Sequence, residues 1–510
     1  MNFQNESIKN LKSKSKTNQS QNFDWDIIVP DSKPDIKSII TTDGVVSITG
    51  KEIMQDRAVI NGNVKLTILY VSSTEPECVK SIENIKSFNY VLELQDLRQN
   101  MILNLYTDIV KISSEILNSR KINVACMLEF FATAYNEEET DFISKIEEDD
   151  IKFYTKEIST LKLIDCFEKK ISLNENIEVP SGKMSITEIL KIKPELSNKE
   201  FKLMNNKFAL RTNLEFLTMY RSGDDLEEIE CINLGIPVNE IIDCDCIKED
   251  LLSDFDVEVC NLNYILKENS DNEKRIIQVC CDLLVCGKIY EMMTIRPIVD
   301  AYSLTNNLKL EKAPYDYDLI LCDTSGQFST KDSFTLKSKG DIQKILFLDI
   351  KPEIKKLTNI NQIAGIKGDI HVTVLYMSTD NKMYFEKAML NMEQNIPLND
   401  KTENSVCDLK LLLDSHSYNI LSDNVIELRI NFNYRITAKK SISQEIIKNI
   451  DIEEASGQSM GQGIKVFFCS GDEKLWDIAK KYKTTVDDIL IVNNMENCNE
   501  VKKGMKLLIP

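Results

Sequence analysis

Hydrophobic residues along most of this chain recur with a period of two. In Val64-Lys65-Leu66-Thr67-Ile68-Leu69-Tyr70 the even positions are apolar, with Lys65 and Thr67 between them, and Ile370–Tyr376 repeats that phase. Such alternation with β-branched residues predicts strands with one buried face. The pattern occurs in three long copies. Around Tyr70 the chain reads DRAVINGNVKLTILYVSS, around Tyr220 NKFALRTNLEFLTMYRSG, and around Tyr376 NQIAGIKGDIHVTVLYMST. Aligned on the tyrosines, Ala58, Ala209 and Ala364 fall within a residue of each other, Gly62 matches Gly368, and Thr67 matches Thr373. The tyrosines stand 150 and 156 residues apart. That is too long for a solenoid unit of roughly 20 to 50 residues, and long enough for each copy to bury its own core.

A second shared stretch lies later in each block. Ile116-Leu117 followed by Ile122-Asn123-Val124 parallels Ile420-Leu421 followed by Ile426-Glu427-Leu428, with Ile276–Val279 as the counterpart in the more divergent middle copy. Both lead into alternating runs ending near Ala134 and Ala438. The reading is several strands per block, joined by turns and by acidic loops such as Asn136–Asp141. The predicted fold class is multidomain and mainly β, with repeated domains at 23–150, 168–305 and 325–452. The polar segment 1–22, rich in Asn, Ser, Lys and Gln, reads as a disordered tail.

The period changes only near the end. Residues 455–463 (ASGQSMGQG) carry a flexible-linker composition. Beyond it, Lys465–Cys469 reads as a short strand ended by Ser470-Gly471-Asp472, with Ser470 or Asp472 as a helix cap. Leu475, Ile478, Ala479 and Tyr482 then follow the i, i+3, i+4, i+7 spacing of one helix face. A second helix opens after Thr484-Thr485 with Val486, Ile489 and Leu490 inward, and Asn493-Asn494 ends it. Lys503-Gly504 makes a turn into a closing strand, Met505–Ile509. The last domain, 464–510, is therefore a small βααβ unit.

Composition narrows the function. Hydrophobic content of 42% with 28% charged residues describes a globular chain, and a net charge of −19 argues against nucleic acid and anionic membrane surfaces as partners. The last domain holds 8 Lys against 7 Asp and Glu, so nearly all the negative charge belongs to the body. No run of about 18 apolar residues predicts a transmembrane segment. The first residues have no apolar core of a secretory signal, which predicts a cytoplasmic protein. Fourteen cysteines lack a C-x2-C pair and read as reduced thiols rather than a zinc site. The two histidines, His371 on an outward strand position and His416 in a polar loop, have no nucleophile or ligand partner at motif spacing. No phosphate loop, dinucleotide loop, nucleophile elbow or H-E-x-x-H occurs, so no catalytic residue, metal or cofactor is expected.

Two resemblances add to this. Gly471-Asp472, Leu475-Trp476, Ile478-Ala479, Asn493-Asn494 and Gly504…Leu507…Ile509-Pro510 make the last domain similar to the LysM family. That resemblance implies a binding surface between the loop before the first helix and the segment after the second, with Asp472, Glu473, Trp476, Asn493 and Asn494 as its residues. Where the family usually has a single Thr before the Leu, this chain has Glu473-Lys474. The departure lies in the loop that touches N-acetylglucosamine in sugar-binding members. The segment Trp25–Asp35 (WDIIVPDSKPD), with the three tyrosine strands, resembles the opening of the SPOCS-domain proteins of spore-forming Firmicutes. This implies a non-enzymatic spore coat adaptor in the mother-cell cytoplasm, at the forespore surface. Its LysM domain would engage the coat-basement ATPase, stage IV sporulation protein A, while the β domains recruit other coat proteins or self-associate. The alternative is a peptidoglycan-binding or N-acetylglucosamine-binding protein of wall or cortex.

Overall fold

The structure, a computed structural model, describes residues 3–75, 77–223, 228–245, 247–337, 341–399, 402, 405–453, 465–470, 473–496 and 503–510. In the first repeat β1 (Phe3–Ile28), β6 (Lys121–Ile146) and β5 (Ile102–Asn118) form one antiparallel sheet in the order β1-β6-β5. β2 (Ile36–Met54), β3 (Arg57–Ser72) and β4 (Val79–Glu93) form a second, β2-β3-β4. The even positions Ile60, Val64, Leu66, Ile68 and Tyr70 of β3 are fully buried against Ile122, Val124, Leu128 and Phe130 of β6. The period of two thus marks a sandwich core, each sheet giving one face to it.

The other repeats follow the same plan. After the short β7 (Ile151–Thr155), the second is built from β8 (Ile158–Glu178), β9 (Ile186–Met204), β10 (Lys207–Ser222), β11 (Glu228–Asp243), β12 (Leu252–Glu268) and β13 (Lys274–Ile295). After β14 (Ile298–Ser303), the third is built from β15 (Asn307–Thr335), β16 (Ile342–Ile360), β17 (Ile363–Ser378), β18 (Met383–Pro397), β19 (Val406–Ser422) and β20 (Val425–Glu453). The two connectors, β7 and β14, pair with each other. The C-terminal unit is β21 (Lys465–Phe468), α1 (Leu475–Tyr482), α2 (Val486–Val492) and β22 (Lys506–Ile509), with β21 paired to β22.

Several expectations need correction. The segment read as a disordered tail is most of β1, hydrogen-bonded to β6 along its whole length. Its polar residues have partners across the ribbon, Lys9 on Glu137 and both Lys12 and Lys14 on Glu138, while Ile8 is buried. The acidic stretch Asn136–Asp141 is accordingly strand, not loop. β8 and β15 likewise begin before residues 168 and 325, as the long first strands of their repeats. His416 lies within β19 rather than in a loop. The expected linker 455–463 lies outside the described residues.

Repeated residues have repeated tasks. The buried Tyr70 donates its hydroxyl to the Pro34 carbonyl (3.0 Å), and Tyr220 does the same to the Met184 carbonyl (3.5 Å). Each tyrosine fastens the turn that carries the chain from the first sheet into the second. Arg120 holds the first of these turns from the other side, bonding Asp35 (2.7 Å) and the carbonyls of Val29 and Pro30. Arg275 does so for the second through the Lys183 carbonyl (2.8 Å).

The three repeats close into a ring. β4 packs on β9, β11 on β16, and β18 returns to β2. At one end Leu69, Met219 and Leu375, each preceding its tyrosine, meet Leu190 and Leu346 in a buried cluster. Beside it Lys191 pairs with Asp43 and Lys193 with Asp349, each across a repeat boundary. Burial opposes charge on Asp43, but Lys191 outweighs it and holds the carboxyl below its usual range. At the other end Ile8, Phe142, Ile158, Ile295, Tyr315 and Ile446 converge from the long strands of all three repeats. There the Asn10 amide oxygen accepts from the Tyr315 hydroxyl (2.9 Å), which also bonds Thr160 (3.2 Å).

Candidate functional site

The C-terminal module folds around Cys469, Leu475, Ile478, Ala479, Ile489, Leu507 and Ile509. The helical spacing read from the sequence therefore faces this core. Its first helix is not capped as expected. Lys474 is the N-cap residue and makes no side-chain cap, while Ser470 is engaged by the Glu473 carboxylate, which accepts from its backbone N–H (3.0 Å) and hydroxyl. The second helix is capped by Thr485, whose hydroxyl oxygen accepts from the Asp488 N–H (3.0 Å). Asn493 ties that helix to the closing strand. Its amide donates to the carbonyls of Ile489 and Leu508 and its oxygen accepts from the Leu508 N–H, each at 2.7 Å. Asn494, at φ 51, takes the left-handed turn and is exposed. Asp472 lies outside the described residues.

Trp476 departs most from expectation. Its indole N–H donates to the Asp300 carboxylate of β14 (2.8 Å). The ring stands edge-on to Tyr302 (5.0 Å between centroids, 67°) and beside Tyr154 of β7 (5.7 Å). One turn on, Lys480 donates to both Asp300 oxygens (2.6 and 2.8 Å). The Tyr302 hydroxyl donates to the Thr484 carbonyl (2.7 Å), and Lys483 donates to the Asn306 carbonyl (3.0 Å) and the Asn307 side chain (3.1 Å). Asp300 and Tyr302 project from one face of β14 because they are two residues apart. A bulge between Ile298 and Asp300 breaks the alternation, so Ile298 joins Ala301 on the opposite side of β14, packed with Ile143, Ile146, Ile447 and Ile450 from the ends of the long strands. The ring thus anchors the short sheet on which the module sits.

Electrostatics match this geometry. Burial works against charge on Asp300, but the hydrogen bonds from Lys480 and Trp476 and the nearby Lys312 outweigh it and hold the carboxyl below its usual range. Burial, with Asp487 and Asp488 nearby, pushes the Tyr302 hydroxyl up to about 12, so it stays a donor.

Of the five residues expected to form one surface, Trp476 faces the body, Asn493 is committed to the closing strand, Glu473 is turned to Ser470, and Asn494 faces solvent. Sequence reading missed Asp300, Tyr302 and Tyr154, whose partner lies far along the chain and leaves no local signal. It also missed an apolar outer face on the module. Val466 stands directly opposite Leu508 on the paired strands and both are exposed, as are Phe468 (64%) and Ile491 (72%). Lys506 lies over the Phe468 ring (5.5 Å).

Chemistry elsewhere is quiet. The described cysteines are all free. Burial pushes several up, Cys126 to about 11 and Cys281 to about 12, which disfavours the reactive thiolate. His371 bonds Glu353 (2.9 Å) at the surface, and burial lowers the His416 pKa. Among the described residues no group of His, Cys, Asp and Glu is placed to hold a metal ion, and no helix is long and apolar enough to cross a membrane.

Comparison with known proteins agrees with this architecture. The family described as SipL, SPOCS domain, matches three times, over 35–117, 185–267 and 341–421. The LysM domain family matches 470–510. Each SPOCS match opens at the turn before the second strand of a repeat and ends at its fifth, so the match reproduces the threefold repetition. No curated protein and no solved structure matches the chain. SPOCS and LysM are binding or structural domains, and no catalytic domain is matched. With three SPOCS repeats followed by a LysM domain, the chain belongs to the SipL family of spore coat proteins.

Proposed function

We propose that this protein is a non-enzymatic adaptor of spore coat morphogenesis, acting in the mother-cell cytoplasm at the forespore surface. Its LysM domain docks onto the coat-basement ATPase, stage IV sporulation protein A, and helps to localise the coat and encase the forespore with it. Other coat proteins and further copies of the chain engage the SPOCS ring. The observation that carries the docking reading is the apolar outer face of the LysM sheet, Val466, Phe468 and Leu508, with Ile491 exposed on the second helix. Exposed aromatic and aliphatic side chains gathered on one face make the kind of apolar patch that marks a protein contact. Removal of residues 464–510 is expected to abolish co-purification with the ATPase. Unchanged co-purification overturns the docking role, and pelleting of the purified protein with peptidoglycan would assign the module to glycan instead.

A further inference from the structure

The contact between the LysM domain and the β7–β14 sheet differs in chemistry from the contacts that close the ring. The ring ends are apolar clusters drawn from all three repeats. The LysM seat centres on a single carboxylate held by an indole N–H and an ammonium, with two tyrosine rings against that indole, Tyr302 and Leu304 packed on the module's core, and bonds to backbone carbonyls around them. Contacts between domains that are small and polar are the kind that open and close, whereas large apolar ones are permanent. The donors concerned lie on the half-buried face of α1 that is turned towards β14. Trp476 and Lys480 are four residues apart, so they form one reading head on α1.

We infer that this head recognises a carboxylate flanked by an aromatic ring, that Asp300 with Tyr302 is its internal ligand, and that an acidic segment of the trans partner displaces them. The inference rests on the protein-docking reading above and adds both the partner's chemistry and a control on it. While Asp300 is in place, the indole N–H and the Lys480 ammonium are occupied. A partner must then supply an equivalent acceptor to the same two donors, and its apparent affinity is reduced by the fraction of molecules in the closed arrangement. The apolar outer face of the module stays exposed throughout, so the two surfaces can act in sequence, the first capturing and the second locking.

The test uses the full chain with Trp25→Phe, which leaves Trp476 as the only remaining tryptophan. Asp300→Ala, and the isosteric Asp300→Asn as a check on folding, are expected to red-shift Trp476 emission as the indole meets water. The same variants are expected to capture the stage IV sporulation protein A ATPase more tightly, by about fivefold or more. Lys480→Glu is expected to red-shift emission too, but to weaken capture. Asp300→Lys combined with Lys480→Asp restores the pair with its signs exchanged and is expected to bring emission back. Unchanged emission in both Asp300 variants overturns the internal contact. Capture that is lost on deleting 464–510 but unaltered by Asp300→Ala overturns the competition alone. Capture that survives the deletion overturns the docking reading and the competition with it.

Discussion

Gly62 and Gly368 stand at matching points of the first and third repeats, and both are there for space. A Cβ on Gly62 would come within 2.7 Å of Phe88 Cε1 and of the Ser47 carbonyl oxygen, and one on Gly368 would press on the Glu353 carbonyl. The middle repeat has Thr212 at this point, and its hydroxyl donates to the Ser197 carbonyl (2.8 Å) instead. Gly62→Ala is therefore expected to cost about 1–3 kcal/mol, read as a lowered urea midpoint at unchanged slope. Tyr70→Phe removes the bond to the Pro34 carbonyl and is expected to cost about 1 kcal/mol in the same measurement. These residues were legible because they recur in register with the period of two. Asp300 was not, since its meaning depends on Trp476, 176 residues away. It also carries a pH dependence. Its carboxyl is held below the usual carboxylate range, so the docked arrangement has its full contribution above that range and loses it as pH falls through the lowered folded pKa. Trp476 emission, read in the Trp25→Phe chain, is expected to red-shift on acidification in that range. In Asp300→Asn it should already be shifted and change little.

At the scale of elements, β1 is the instructive case. Its residues 3–22 have the polar composition of a disordered tail, yet the strand lies along β6 for nearly all of its 26 residues. Backbone hydrogen bonding to a partner strand is indifferent to side-chain polarity, and the outward positions of an edge strand are solvated in any case. What fixed it was a set of lysines matched to the acids of β6, which no single-segment reading pairs up. Deleting residues 3–22 exposes the edge of β6 and removes Ile8 from its cluster. The truncated chain is expected to melt at a lower temperature and to aggregate, as light scattering alongside a thermal scan would show. The LysM helices were legible for the opposite reason. Their signal lies within one short window, and tertiary contacts only confirm the face already marked.

Over the whole molecule, three copies of one plan were visible in the sequence, but their closure was not. The residues that meet at the ring end, Leu69, Met219 and Leu375, look like ordinary strand positions until the three repeats are brought together. Met219→Ala is expected to cost about 2–5 kcal/mol and to lower a single unfolding transition shared by all three repeats. A variant that melts one repeat alone, leaving the others folded by calorimetry, would mean that the ring does not act as a cooperative unit.

The single C-terminal domain has one more consequence. The Leu69–Met219–Leu375 cluster and the Asn10–Thr160–Tyr315 cluster are separated by most of the length of β1, about 60 Å at the usual strand rise. The LysM seat lies at the second of these poles, where β14 meets the ends of the long strands. A ring of three near-equivalent repeats has two different poles but three like sides, and one off-axis head gives an assembly partner a single place at one of those poles. Molecules tethered by that head to a common support would all turn the opposite pole outward. The layer they form would then inherit an inside and an outside from the orientation of each molecule, with no further cue required.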